Sequence, residues 1–347
     1  MRKAPFKIPS KALFLAPMQD VTDLRFMQAV NAISSPDFYC AEYFRIHESF
    51  ELDRRTMEAV NSQVLSAPVV AQFIGGDESD IAKAALELSK RAPRLLYLDL
   101  NIGCPVAKIY RKNAGGGLLR FPEKIKCIVR VLRDNWEGVL SVKMRAGFAE
   151  FSEFEHLFES VMETPPDYIT IHARTVAQLY RGKPDYSIIK RGVELSGGVP
   201  VVANGDISSA RKAVEVFNET GCAGVMIGRP AVRNPWIFRQ IREFLNGEEV
   251  FNPLLSDVRA YVQNLADNII CGGGKILHAD SRLKKYLNFV ALGVDPEGKF
   301  LREMRLARGM DSLLRVCDKH LLDNGNAEKK FSLDAYEGIC ARPNCEL

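Results

Sequence analysis

Short apolar runs of strand type recur over the first two-thirds of the chain: Ala12–Met18, Phe38–Tyr43, Pro68–Gly75, Tyr97–Gly103, Val139–Gly147, Tyr168–Thr175, Pro200–Ile207 and Gly224–Pro230. Stretches with apolar residues at helical spacing separate most of them, among them Ser79–Arg91, Pro122–Asn135, Phe151–Glu163 and Ser208–Thr220. Alternation of eight β and α units over roughly 240 residues predicts an α/β protein built on a (β/α)8 TIM barrel. A doubly wound sheet also alternates, but no strand leads into G-x-G-x-x-G and no P-loop is present. The glycine run "CGGGKI" beginning at Cys271 has neither the spacing nor the Ser/Thr of one. After about Asn252 the strands stop, and Ser256–Ile270, Ala279–Leu292, Gly298–Gly309 and Met310–Asp323 read as helices. The expected organisation is a barrel over residues 1–250, a smaller all-helical C-terminal domain over 251–335 and a flexible tail over 336–347.

Parity within the strands sorts the barrel's side chains. Alternate residues of a strand point to opposite faces, one toward the helices and one into the lumen. In the fourth run Leu98, Leu100 and Ile102 share the helix face, while Asp99 and Asn101 share the lumen face. In the fifth, Leu140, Val142 and Met144 oppose Ser141, Lys143 and Arg145. In the sixth, Ile169 and Ile171 oppose Thr170, His172 and Arg174. Gln72 lies opposite Ala71 and Phe73, and the seventh run contains Asn204. Polar groups from five strands therefore converge at the carboxyl ends, where barrel enzymes hold their active sites. A lone buried Lys or His is readily structural. Five such positions at one end are not, because unpartnered buried charge is costly.

The seventh and eighth runs, "VVANGDI" and "GVMIGRP", end in glycine turns that open helices. These are the usual phosphate turns of the fold, with backbone N–H groups receiving the anion and Arg229 able to add a bidentate contact. The residues thus point to a barrel enzyme for a phosphorylated ligand, with Gln72, Asn101, Cys104, Lys143 and His172 around its reactive part. Two chemistries remain open on this basis. Lys143 suits a Schiff base, and it equally suits a flavin mononucleotide site in which Cys104 donates a proton.

Composition adds few exclusions. Hydrophobic content of 47%, charged content of 26% and a net charge of +4 are ordinary for a globular protein. The positive charge is concentrated in the helical region, at Arg282, Lys284, Lys285, Lys299, Arg302, Arg305, Arg308 and Arg315. Such a patch is either a solvated face or a surface that meets phosphates. The eight cysteines form no C-x-x-C pair, and Cys340 and Cys345 lack partners for a zinc set, so no metal is expected. The start lacks the apolar core of a signal peptide, and no apolar run reaches roughly 18 residues, so a cytoplasmic protein without a membrane partner is expected.

Several motifs carry a resemblance to a known family. They are "APMQDVTD" (Ala16–Asp23), "LDLNIGCPVAKIYRKNAGGGLLRFP" (Leu98–Pro122), "VKMRAG" (Val142–Gly147), "IHARTVAQLYRGKPD" (Ile171–Asp185), "NGDI" (Asn204–Ile207) and "GVMIGRPAVRNPWIF" (Gly224–Phe238). In these the chain resembles the tRNA-dihydrouridine synthases, flavin enzymes that reduce uridine in tRNA, over nearly its whole length. N-x-G-C-P followed by the glycine run is the most specific element. Gln19-Asp20 departs from the family pattern, which often has an acidic or small residue followed by Gly.

The resemblance implies an FMN-binding barrel, a helical tRNA-binding domain, and reduction of uridine C5=C6 with NADPH as reductant. Hydride would pass from flavin N5 to C6, and Cys104, matching the family's catalytic acid, would deliver a proton to C5. Pro17, Met18 and Gln19 match the segment against the flavin ring. Gln72, Lys143 and His172 match flavin and active-site residues, and Asn204, Gly205, Asp206, Gly228 and Arg229 match the phosphate turns. Asn101, Arg145 and Arg174 are assigned to the substrate, and Lys284, Lys285, Arg302 and Arg305 to a tRNA patch. An ordinary thiol is mostly protonated at neutral pH, which suits an acid. Gly115–Gly117 read either as turn residues needing positive φ or as hinges of a closing loop. The competing readings are an FMN reductase of a free pyrimidine resembling dihydroorotate dehydrogenase, a Schiff-base lyase using Lys143, and a catalytically dead RNA-binding barrel.

Overall fold

The computed structural model describes residues 7–272 and 278–334. The tail expected from residue 336, Cys340, Cys345 and the later glycines of the "CGGGKI" run lie outside the described residues. Eight parallel strands close a barrel in sequence order: β1 (Ala12–Leu15), β2 (Phe38–Arg45), β3 (Val69–Ile74), β4 (Tyr97–Ile102), β5 (Val139–Arg145), β6 (Tyr168–His172), β7 (Val201–Asn204) and β8 (Gly224–Ile227). The ring closes where β1 pairs with β8, Ala12 opposite Gly224 through Leu15 opposite Ile227.

Every apolar run of the sequence coincides with one of these strands, and all but the second contain theirs whole. Those seven overshoot at their carboxyl ends, because the strand-type reading carries on past the last ladder bond into the turns of the mouth. Met18, for example, falls in a turn whose carbonyl accepts the N–H groups of Val21 and Thr22, each at 3.0 Å. β2 is longer than its run, and its register with β3 shifts between Cys40 and Tyr43, the signature of a bulge.

The helices follow their local signals. Pro122 occupies the first turn of Pro122–Asn135, where its missing N–H has no partner to lose. Asp77 caps Glu78–Arg91 by accepting the N–H of Asp80 at 3.0 Å. Glu78 and Asp80 at its start, and Lys90 and Arg91 at its end, complement the helix dipole. Phe151–Glu163 divides into a 3-10 turn, Phe151–Glu153, and a helix, Phe154–Met162.

The chain divides into two compact units among the described residues: 7–24, 36–207 and 212–227 form the barrel, and 25–35, 208–211 and 228–334 form the second. The second unit carries the C-terminal helices Leu255–Cys271, Ala279–Val294, Lys299–Leu306 and Met310–Leu321. Within it Phe26 stacks on Tyr286 with ring centres 5.3 Å apart. No helix among the described residues is long and apolar enough to cross a membrane.

The barrel lumen is layered. Its apolar floor is built from Phe14, Phe38, Cys40, Val70, Tyr168, Val202 and Met226. Phe14 stacks on Phe38 at 4.5 Å and leans on Tyr168 at 5.5 Å. Burial of each such ring contributes about 1.5–3 kcal/mol. Filled from below, the barrel presents its polar residues only at the carboxyl end.

Candidate active site

Register places the polar lumen residues side by side. Gln72 is opposite Asp99, and Asp99 opposite Ser141. One layer higher, Asn101 is opposite Lys143, and at the rim Arg145, His172 and Asn204 stand in line. A directional chain of hydrogen bonds connects the lower layers to the mouth. Ser141 donates to Asp99 Oδ1 at 2.5 Å, and Gln72 Nε2 donates to Asp99 Oδ2 at 2.7 Å. Asn101 Nδ2 donates to Gln72 Oε1 at 2.9 Å. Asn101 Oδ1 then accepts the backbone N–H groups of both Gly103 and Cys104, each at 2.9 Å. Ser141, Asp99, Gln72 and Asn101 are all buried, so each of these bonds replaces water that cannot reach them.

Cys104 is clamped from the other side as well. Its carbonyl accepts the N–H of Gly116 at 3.0 Å. Gly115–Arg120 is a 3-10 turn in which all three glycines are buried. Only Gly115 needs positive φ, at 55°. A Cβ on Gly116 would stand 2.8 Å from the Cys104 carbonyl oxygen and 2.6 Å from Val176 Cγ2, and one on Gly117 would overlap the Tyr110 carbonyl. The second and third glycines are thus demanded by close packing, and the loop is a tight turn built around Cys104.

The electrostatics of the site follow from burial. Desolvation raises the Asp99 carboxyl to about 6, against the lowering effect of its two hydrogen bonds and of Lys143. Desolvation lowers Lys143 to about 8, and repulsion from Arg145 adds to this; Asp99 offsets only part of it. Lys143 is ringed by protein groups yet keeps some accessible surface. Burial also raises the Cys104 thiol, although Lys143, Arg145 and Arg45 all pull it down. Burial thus outweighs three nearby cations at this half-buried thiol and favours its protonated form.

The remaining sequence candidates sort by what they touch. Arg145 Nη1 donates to the carbonyls of Thr175 and Leu179 at 2.7 and 2.6 Å, and its guanidinium lies 5.5 Å from the Tyr180 ring centre. Arg174, 2% exposed, forks onto Asp206 at 3.0 and 2.5 Å and donates to the carbonyls of Arg181 and Gly182. These two arginines hold the loop after β6, and Arg174 also ties it to the turn after β7. In that turn Gly205 (φ 126°) and Asp206 (φ 46°) are both left-handed, and a Cβ on Gly205 would stand 3.2 Å from Pro184 Cβ. Asn204 Nδ2 anchors the turn by donating to the Met226 carbonyl at 2.7 Å. His172 is buried at the end of β6. Pro17 and Met18 are half-exposed and Gln19 is exposed, on a turn stapled by Thr22, whose hydroxyl accepts the Met18 N–H at 2.8 Å. Gly228 and Arg229 belong to the second unit, where Arg229 opens the helix Arg229–Arg233.

In the helical unit Arg302 and Arg305 are exposed on one helix and Lys285 is half-exposed on its neighbour. Lys284 is committed elsewhere, donating to the carbonyls of Arg305 and Ala307 at the end of Lys299–Leu306. Among the described residues no group of His, Cys, Asp or Glu could hold a metal ion.

Sequence reasoning passed over three residues of β2. Glu42 is buried on the bulged strand, its Oε1 has no hydrogen-bond partner, and desolvation raises its carboxyl to about 7. Tyr43 and Arg45 follow it toward the mouth. The available signal was a lone carboxylate inside the apolar run "FYCAEYF".

The bond chain makes a testable demand. Asp99→Ala removes the acceptor shared by the Ser141 hydroxyl and the Gln72 amide and leaves both buried donors without it. Asp99→Ala is expected to destabilise the protein by about 1–3 kcal/mol in denaturant unfolding and to loosen residues 103–105 in hydrogen exchange. Unchanged stability and protection would show that the chain does not hold the turn.

The chain matches the family model "Dihydrouridine synthase (Dus)" over residues 14–326. It is 33% identical over 246 residues to tRNA-dihydrouridine synthase B of Serratia marcescens, a match covering 71% of this chain and 72% of the relative. It is 31% identical over 273 residues to tRNA-dihydrouridine synthase B of Escherichia coli K12, covering 77% and 84%. Against tRNA-dihydrouridine(16) synthase of Neisseria meningitidis it is 28% identical over 314 residues, covering 88% and 93%. With the barrel, the Cys104 turn and a match spanning most of its length, this chain belongs to the dihydrouridine synthase family.

Proposed function

We propose that this protein reduces the C5=C6 bond of uridines in tRNA to 5,6-dihydrouridine, using FMN that is reduced by NADPH. The observation that carries the reading is a thiol kept protonated by burial and held at the mouth by Asn101 and Gly116. The names of the relatives support the same substrate.

The site fits a flavin on its own terms. Lys143 is a buried-ringed cation whose charge the protein leaves undercompensated, and an electron-rich ring edge would complete it. Gln72, His172 and the segment Pro17–Gln19 are assigned to the flavin, and the turn of Asn204, Gly205 and Asp206, two of them left-handed, to its phosphate. FMN held there by these residues would supply the hydride for uracil C6. Cys104 supplies the proton to C5: the S–H bond breaks as the C–H bond forms, and the resulting thiolate is stabilised by Lys143, Arg145 and Arg45. Asn101 is a positioning residue for Cys104, and its second amide N–H is left for the edge of the base. Arg145 and Arg174 act on the substrate side by fixing the loop after β6. The uracil must leave the folded tRNA to reach this mouth, and Lys285, Arg302 and Arg305 are assigned to phosphates of the tRNA body.

The depressed pKa of Lys143 also suits a Schiff-base amine. A lyase has no need of a protonated cysteine held by its own strand, and a free-pyrimidine reductase has no need of a basic helical unit.

Cys104→Ala is expected to keep its flavin and to be reduced by NADPH at the normal rate, while reoxidation by tRNA slows by about 10²-fold or more. Undiminished reoxidation would remove Cys104 as the acid. For Lys143, the native group loses its proton near pH 8, whereas in the unfolded chain it does so near the ordinary value of about 10.4. Between those values the unfolded chain binds more protons, so the stability of flavin-free protein rises with pH. Lys143→Met is expected to abolish that rise and to lose flavin; parallel stability profiles from pH 8 to 10 would contradict the assignment.

A further inference from the structure

Beside the Cys104 turn lies a cavity of about 430 Å³, and apart from Gln19 and Arg45 the mechanism above uses none of the wall residues named below. Its size falls in the range of small-ligand pockets. Four segments of the barrel unit wall it. The turn after β1 gives Gln19, the end of β2 gives Tyr43 and Arg45, the loop that follows gives Glu51, and the turn carrying Cys104 gives Val106 and Lys108. Arg45 and Lys108 are exposed, Tyr43 is half-buried, and Val106 exposes 52% of its surface although it is apolar. Asp53 also borders the cavity, but its carboxylate is committed to the N–H groups of Arg55 and Thr56 as a helix cap. Burial, and then the charge of Cys104 nearby, push the Tyr43 phenol up to about 12, so it stays a neutral aromatic donor.

These groups form a set. An aromatic ring and an exposed valine offer apolar faces to a base, two cations suit backbone phosphates, and an amide and a carboxylate suit a base edge. That is the combination by which proteins hold unpaired nucleotides. The location matters as much as the chemistry. Val106 and Lys108 stand two and four residues beyond Cys104, so a uracil delivered to Cys104 brings its chain neighbour to this wall. We propose that the cavity is a subsite for the unpaired nucleotide adjoining the target uridine, with its base on Tyr43 and Val106 and its phosphates on Arg45 and Lys108. The inference rests on the proposed function, and it adds a place where local sequence around the target is read. Gln19 and Glu51 are the groups positioned to do so, since both present hydrogen-bonding edges rather than charge alone.

The test separates the two half-reactions of the holoenzyme. Lys108→Ala and, independently, Tyr43→Leu are reduced with NADPH and then reoxidised with tRNA lacking dihydrouridine. Melting temperature and flavin content serve as controls for folding. Both variants are expected to take up flavin and be reduced by NADPH at wild-type rates, while the tRNA concentration giving half-maximal reoxidation rises about tenfold or more. Slower reduction with unchanged reoxidation would assign the cavity to the adenosine phosphate end of the reductant and overturn the proposal. Loss of flavin would assign it to the cofactor, and unchanged half-reactions would leave the cavity without a role; either also overturns it. A wild-type enzyme that tRNA does not reoxidise would instead remove the functional reading beneath it, an outcome distinct from the failure of the variants alone.

Discussion

The carboxamide of Asn101 is the constraint on which the rest of the site depends. One oxygen accepts the N–H groups of Gly103 and Cys104, and so fixes the turn that raises the thiol above β4. The amide can do this only because its other end is held by Gln72, which is held by Asp99, which Ser141 secures from β5. Each link needs a partner on a neighbouring strand at one register, so the closed barrel is a condition of the turn's geometry. The apolar floor of Phe14, Phe38 and Tyr168 keeps water from replacing those links from below.

The same burial that makes the bonds strong leaves the charges under strain. Asp99 is held up to about 6 and Lys143 down to about 8, so between these values both are ionised in surroundings that disfavour it. Asp99 is satisfied by fixed donors, whereas Lys143 is pushed by Arg145 and only partly relieved by Asp99. A site in this condition is less stable alone than an apolar one of the same shape, and it gains when an electron-rich group enters. The Cys104 thiol responds in the opposite sense: three cations favour its thiolate, and burial overrides them. That balance suits the proposed role of Cys104 as an acid, with positive charge already in place for the sulfur once its proton has left.

Much of this was legible in the sequence because it depends on local periodicity. Two-residue alternation in "YLDLNI" and "VLSVKMR" separated Asp99, Asn101, Ser141 and Lys143 from their apolar neighbours, and Pro122 marked a helix start that the structure places at the same residue. The order of eight strands followed from the same reading. Contacts between residues distant in sequence were not legible. Arg174 reaches Asp206 across 32 positions, and Lys284 reaches the carbonyl of Arg305 across 21. Nothing local distinguishes such an arginine or lysine from one that faces a ligand. Asn101 illustrates the difficulty within a single turn, since its spacing from Cys104 fits a base-reading amide and a backbone cap equally well. The glycines divide in the same way: positive φ is a local property and applies to Gly115, whereas Gly116 and Gly117 are small because Val176 and Tyr110 approach them. Glu42 escaped because the bulge that buries it is set by the pairing of β2 with β3.

The central claim is that burial prevails over the nearby cations at Cys104. The pH dependence of alkylation at Cys104, followed by peptide mass spectrometry in the flavin-free protein, measures that balance directly. A midpoint above the ordinary thiol value of about 8.5 is the result this account predicts. A midpoint at or below neutral pH would make Cys104 a thiolate in the resting protein and contradict the proton-donor role proposed for it.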